Sequence, residues 1–277
     1  QPIERYDLDA SILFSDILTV PDAFGLGLAF YEGKGPKFSN PISEPENIAN
    51  LKSFDLNTLD YVFRAVEETK KILPVDLPLI GFCGSPWTLA AYSIEGSGSK
   101  DFKKTKQFLS EQPQALKDFL NILTDACFQY LKQQVLSGVN AIQIFDSWAD
   151  LLTTKDLETF SLIYTRKLAQ MLKDDHATKK IPIILFEKAP NMNIQDLVFK
   201  DLSCISLHWQ EDIKNASTTL RNKLAIQGNL NPKVLLESDE IIWNETKKIC
   251  QTMKNYPGFI FNLGHGITPD IVPEKVQ

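Results

Sequence analysis

Asp16, Tyr92, Ser147 and His265 are a carboxylate, a phenol, a hydroxyl and an imidazole, and each stands where an apolar stretch gives way to polar residues. Side chains of these types can hold or move a proton, and a fixed carboxylate can stabilise a developing cation. Each also has an ordinary reading. Asp16 follows Ile12-Leu13-Phe14-Ser15 and precedes Ile17-Leu18, where it can simply cap a helix. Tyr92 ends the helix-like stretch Trp87-Thr88-Leu89-Ala90-Ala91-Tyr92, where a buried tyrosine with a satisfied hydroxyl is common. Ser147 taken alone is uninformative. His265 is the least ordinary, because Gly264 and Gly266 on either side permit unusual backbone angles and close approach of a ligand. Lys188, just past Ile183-Ile184-Leu185-Phe186, competes with these as a Schiff-base nucleophile. His176, within Lys173-Asp174-Asp175-His176, reads as a solvated surface residue.

These residues share a setting. Apolar runs of strand length recur at Ile12 to Phe14, Leu79 to Phe82, Ala141 to Phe145, Ile183 to Phe186, Cys204 to Ser206, Leu224 to Ile226 and Phe259 to Phe261. None alternates cleanly, as expected of strands buried on both faces of a parallel sheet. Between them lie helical stripes: Leu59, Val62, Phe63 and Val66 behind a cap at Asn57; Leu116, Phe119, Leu120, Leu123 and Cys127; and Leu157, Phe160, Tyr164, Leu168 and Met171. The alternation predicts an α/β chain folded as a (β/α)8 TIM-type barrel, in which the residues following each strand converge on the site. An eighth strand is expected before Gln1, and the helix that closes the last unit after Gln277. The stretch from Gly33 to Pro45 reads as a hairpin and loop, and no linker divides the chain, so residues 1–277 are expected to form one domain.

Bulk properties narrow the function. A chain of 277 residues with 43% hydrophobic content can bury a substantial core. The net charge of −6 disfavours nucleic acid as a partner, since a duplex demands a basic face. No apolar run is long enough to span a bilayer, so no membrane association is expected. The four cysteines include no CxxC pair and read as reduced thiols of a cytoplasmic protein. Motifs of the forms GxGxxG, HExxH and GxSxG are absent, and so is a P-loop.

Five ordered blocks carry a resemblance. Arg5-Tyr6-Asp7-Leu8-Asp9-Ala10-Ser11-Ile12-Leu13-Phe14-Ser15-Asp16, Gly81-Phe82-Cys83-Gly84-Ser85-Pro86-Trp87-Thr88-Leu89 with Tyr92, Gln143-Ile144-Phe145-Asp146-Ser147-Trp148, Gln227-Gly228-Asn229-Leu230, and Phe261-Asn262-Leu263-Gly264-His265-Gly266 resemble blocks of the uroporphyrinogen decarboxylase family, in that family's order. The resemblance implies a homodimeric, cofactor-free and metal-free barrel that removes carbon dioxide from the four acetate side chains of uroporphyrinogen III, giving coproporphyrinogen III in haem biosynthesis. It assigns Asp16 to the pyrrole N–H groups as the catalytic carboxylate, and Tyr92, Ser147 and His265 to substrate contacts. The family's arginine motif, which holds substrate carboxylates, is expected before Gln1. Two positions depart from the family pattern: His208 and Asn231 stand where aspartate is usual.

A decarboxylation of this kind needs a sink for the electrons that carbon dioxide leaves behind. Protonating the adjacent ring carbon makes the pyrrole cationic, and a fixed carboxylate stabilises that cation. The proton donor stays open among Tyr92, His265, water and an arginine from the preceding segment. A corrinoid or thiol methyltransferase of similar fold is disfavoured, because its zinc demands a thiolate and imidazole set and no His-x-Cys pair occurs.

Overall fold

The computed structural model describes residues 2–31, 35–189, 192–221 and 223–277. They divide into two compact units, one of Asp9–Ile181 and one of Gln1–Leu8 with Pro182–Gln277. All seven apolar runs contain strands, and every pairing described among them is parallel.

In the Asp9–Ile181 unit, β1 (Ser11–Ile12) pairs with β4 (Leu79–Gly84), Ser11 opposite Leu79, and β4 pairs with β5 (Ala141–Asp146), Gly84 opposite Phe145. β2 (Leu28–Tyr31) and β3 (Gly35–Phe38) form a separate antiparallel hairpin, Tyr31 opposite Gly35. This hairpin starts earlier than the stretch expected from residue 33, of which residues 33–34 lie outside the described residues. Strand β1 is shorter than its apolar run: Phe14 leaves the ladder and is 87% exposed.

The long helix Pro113–Leu136 buries Leu116, Phe119, Leu120, Leu123 and Cys127, the predicted stripe. The helix Asp60–Ile72 buries Val62, Phe63 and Val66, again as predicted, but its approach differs. Asp55, rather than Asn57, supplies the cap, its carboxylate accepting the Asn57 N–H at 3.0 Å at the start of a 3-10 turn, Leu56–Leu59. The third stripe runs through a π-helical turn, Glu158–Leu162, and Leu157, Phe160, Tyr164 and Leu168 are buried as predicted. At its end Leu172 is buried and Met171 only partly so.

In the other unit, β6 (Ile183–Glu187), β7 (Cys204–Ser206), β8 (Ala225–Leu230) and β9 (Phe259–Leu263) pair parallel in chain order. The helices Ile213–Thr219 and Asp239–Met253 connect the later strands. Between β6 and β7 the described residues form only a 3-10 turn, Ile194–Leu197, so among them the strand–helix alternation lapses there. Strands β8 and β9 run further than their apolar runs, so Gln227, Gly228, Asn229 and Asn262 lie within strands rather than in the loops after them. The polar side chains of Gln227 and Asn229 are still buried, because they bond to neighbours: Gln227 Nε2 donates to Ser206 Oγ at 3.0 Å, and Asn229 Nδ2 to the carbonyls of His208 and Glu211.

Candidate active site

Asp16 sits in the loop that leaves β1, half-buried. Its Oδ1 accepts the Leu18 N–H at 2.8 Å and its carbonyl accepts the Thr19 hydroxyl at 2.9 Å, so side chain and backbone are both held by the next three residues. It is not a helix cap: Leu18 takes that place for the short helix Thr19–Asp22. Among the described residues Oδ2 makes no hydrogen bond, which leaves one carboxylate oxygen for a ligand. Burial raises the Asp16 pKa and the Leu18 N–H partly offsets it.

Tyr92 is brought to the same region by the helix Pro86–Glu95. The sequence dictates both ends of that helix: Ser85 Oγ accepts the Thr88 N–H at 3.0 Å, Pro86 occupies the first turn, and Gly96 closes it at φ 84°. Burial pushes the Tyr92 hydroxyl up, the Trp148 indole packed against it partly pulls it back, and the Asp16 carboxylate raises it again. The Tyr92 ring packs edge-on against Phe102 at 5.7 Å and Trp148 at 5.9 Å, while Phe102 and Trp148 lie 4.4 Å apart.

Ser147 begins the turn after β5, half-buried, next to Trp148. Its hydroxyl makes no hydrogen bond among the described residues and is free for a ligand. Sequence reasoning missed Phe102, which is fully buried and holds φ 47°, a conformation rare for a bulky residue. The packing of its ring against Tyr92 and Trp148 holds it there, and only the backbone angles reveal it.

His265 belongs to the other unit, exposed in the loop after β9. Its ring meets His208 at 5.7 Å and Phe186 at 6.0 Å, both close to perpendicular, and Phe186 meets His208 at 6.4 Å. His208 is buried, and its Nδ1 accepts the Gln210 N–H at 3.5 Å. Gly264 matters for close approach, since a Cβ there would lie 2.4 Å from the Trp209 nitrogen. Asn231, the other departure, caps the 3-10 turn Pro232–Leu236 by accepting the Lys233 N–H. Lys188 follows β6 and is half-buried, and His176 is exposed as expected. Among the described residues no three His, Cys, Asp or Glu side chains gather into a metal-binding group, and no helix is long and apolar enough to cross a membrane. All four cysteines are free thiols, and Cys83, Cys127 and Cys204 are buried.

The Asp9–Ile181 unit offers an open carboxylate oxygen, a phenol and an open hydroxyl, and the other unit offers an imidazole packed against His208 and Phe186. The fold resembles that of a methyltransferase from Methanosarcina mazei, with a TM-score of 0.77 and 18% identity over 99% of this chain and 80% of that one. Identity at that level speaks for the fold alone. The uroporphyrinogen decarboxylase of Ruthia magnifica subsp. Calyptogena magnifica is 46% identical over 100% of this chain and 80% of its own length. That of Legionella pneumophila subsp. pneumophila is 43% identical over 100% of this chain and 78% of its own. The model of the family described as uroporphyrinogen decarboxylase (URO-D) matches residues 1–277. The chain belongs to the uroporphyrinogen decarboxylase family.

Proposed function

We propose that this protein decarboxylates the acetate side chains of uroporphyrinogen III to give coproporphyrinogen III and carbon dioxide in haem biosynthesis, as a cofactor-independent carboxy-lyase. The observation that carries the reading is the family match across the whole chain, with the aspartate block falling on Asp16. In this reading residues 1–277 belong to one (β/α)8 barrel domain of a cytoplasmic homodimer that binds neither nucleic acid nor membrane.

Asp16 is the catalytic residue. Its open oxygen accepts pyrrole N–H bonds, and in a partly buried loop its charge is screened less than in water. Protonation of the ring carbon next to the one that bears the acetate creates a cationic pyrrole; the C–C bond to the carboxylate then breaks, its electrons form an exocyclic double bond and neutralise the ring, and carbon dioxide leaves. Protonation of the exocyclic carbon gives the methyl, and loss of the proton first added to the ring restores the aromatic pyrrole, so that one proton is consumed for each carbon dioxide released. Asp16 lowers the barrier by stabilising the cation while itself staying ionised. Tyr92, Ser147 and His265 contact the substrate. Tyr92 retains its proton at neutral pH because burial and Asp16 both raise its pKa, so it is a donor to the substrate rather than a base.

The test is turnover of uroporphyrinogen III by the full-length protein, with products resolved after oxidation to porphyrins. Appearance of porphyrins with progressively fewer carboxylates is expected. Tight porphyrin binding with no loss of carboxylates would make this a binding protein, and trapping of Lys188 by borohydride with substrate would make it a Schiff-base lyase.

A further inference from the structure

Asp146 ends β5 with a side chain that is 0% exposed. A buried carboxylate is costly unless hydrogen-bonded, and here both oxygens are engaged. Oδ1 accepts the Thr88 hydroxyl at 2.7 Å and Oδ2 accepts the Ser161 hydroxyl. Thr88 and Ser161 are themselves fully buried, and Ser161 lies in the π-helical turn Glu158–Leu162.

The Thr88 oxygen has a second role. It accepts the backbone N–H of Trp148 at 3.3 Å, so one hydroxyl joins the side chain of Asp146 to the peptide two residues further on. The residue bridged is Ser147. The neighbouring Trp87 adds a second hold, its indole N–H donating to the Trp148 carbonyl at 2.9 Å. Both holding residues lie on the helix Pro86–Glu95, and Tyr92 follows Thr88 by four positions, on the same face. The turn presenting Ser147 and the helix presenting Tyr92 are thereby locked to each other.

We propose that Asp146 and Thr88 are positioning residues, a buried clamp that sets Ser147, Trp148 and Tyr92 in the arrangement the site uses. The proposal deepens the decarboxylase reading and rests on it for its kinetic effect. Neither residue touches the substrate; they act through the turn they hold.

The experiment uses full-length protein with Thr88→Val, Thr88→Ser and Asp146→Asn. Valine matches threonine in shape but removes both bonds, whereas serine keeps the hydroxyl. Thr88→Val is expected to lower kcat/KM about tenfold or more, the effect of losing paired hydrogen bonds in a closed site, and Thr88→Ser to recover most of it. Asp146→Asn, which leaves one oxygen for Thr88, is expected to fall between wild type and Thr88→Val. The second readout is the near-ultraviolet circular dichroism of the aromatic cluster: a change in Thr88→Val that Thr88→Ser reverses, and that a Trp148→Phe background lacks. Wild-type kinetics or an unchanged aromatic signal in Thr88→Val would overturn the clamp, as would equal damage by serine and valine, which would mean that keeping the hydroxyl does not preserve the site. A wild-type protein that turns over nothing sinks the decarboxylase reading, and the aromatic signal then judges the clamp by itself.

Discussion

Gly264 and Trp209 meet backbone to backbone: the Trp209 N–H donates to the Gly264 carbonyl at 3.2 Å, and a Cβ on residue 264 would lie 2.4 Å from the Trp209 nitrogen and 2.6 Å from its Cα. Those neighbours are main-chain atoms and cannot swing aside. Gly264→Ala is therefore expected to destabilise the protein by about 1–3 kcal/mol, the range for overpacking. The loop that carries His265 should shift with it. Urea denaturation and porphyrin binding measure the two effects; an unchanged midpoint would show that the two loops separate without cost.

Asp16→Asn should separate stability from activity. The amide keeps an acceptor for the Leu18 N–H but removes the charge, so turnover is expected to fall by roughly 3 kcal/mol of transition-state stabilisation, on the order of a hundredfold. Burial raises the carboxyl pKa of Asp16 in the folded state, so the folded protein holds this proton more tightly than the unfolded chain does. Its contribution to stability therefore declines as pH rises from the unfolded carboxylate range through the folded pKa. Asp16→Asn, having no such loss, should be at least as stable as wild type at neutral pH, with the difference closing in acid. Near-normal turnover of the variant would end the electrostatic role.

Tyr92→Phe keeps the ring contacts with Phe102 and Trp148 and removes only the hydroxyl, and Ser147→Ala removes only a hydroxyl. Each should lower kcat/KM about tenfold to a hundredfold, as expected for loss of one hydrogen bond in a site. Steady-state kinetics on both variants decides it. A loss with Tyr92→Phe as large as that with Asp16→Asn would make Tyr92 the proton donor.

Leu120 reports on the fold alone. It is fully buried on the helix Pro113–Leu136. Leu120→Ala should cost about 2–5 kcal/mol from lost burial and the cavity left behind. The kcat of the protein that remains folded should be unchanged; a fall in kcat at full occupancy of the folded state would tie this helix to the chemistry.

Much of this protein was legible in its residues. The stripe Leu116, Phe119, Leu120, Leu123 and Cys127 specifies a helix because helical periodicity alone decides which side chains share a face. Ser85, Pro86 and Gly96 fix the ends of the helix bearing Tyr92, since caps are satisfied within a few residues. The short apolar runs similarly announced the strands. What the residues could not disclose depends on partners far apart in the chain or on small shifts of phase. The end of β8 was missed because Asn229 is polar yet buried, and its bonds run to His208 and Glu211. The π-helical turn that aims Ser161 at Asp146 changes phase by a single residue, which no pattern of apolar spacing reveals. Phe102 in its left-handed backbone and Thr88 joined to an aspartate 58 positions away were both decided by tertiary packing. Burial pattern is a local property of a sequence, whereas the partner of a buried polar group is set only when the strands and helices have come together.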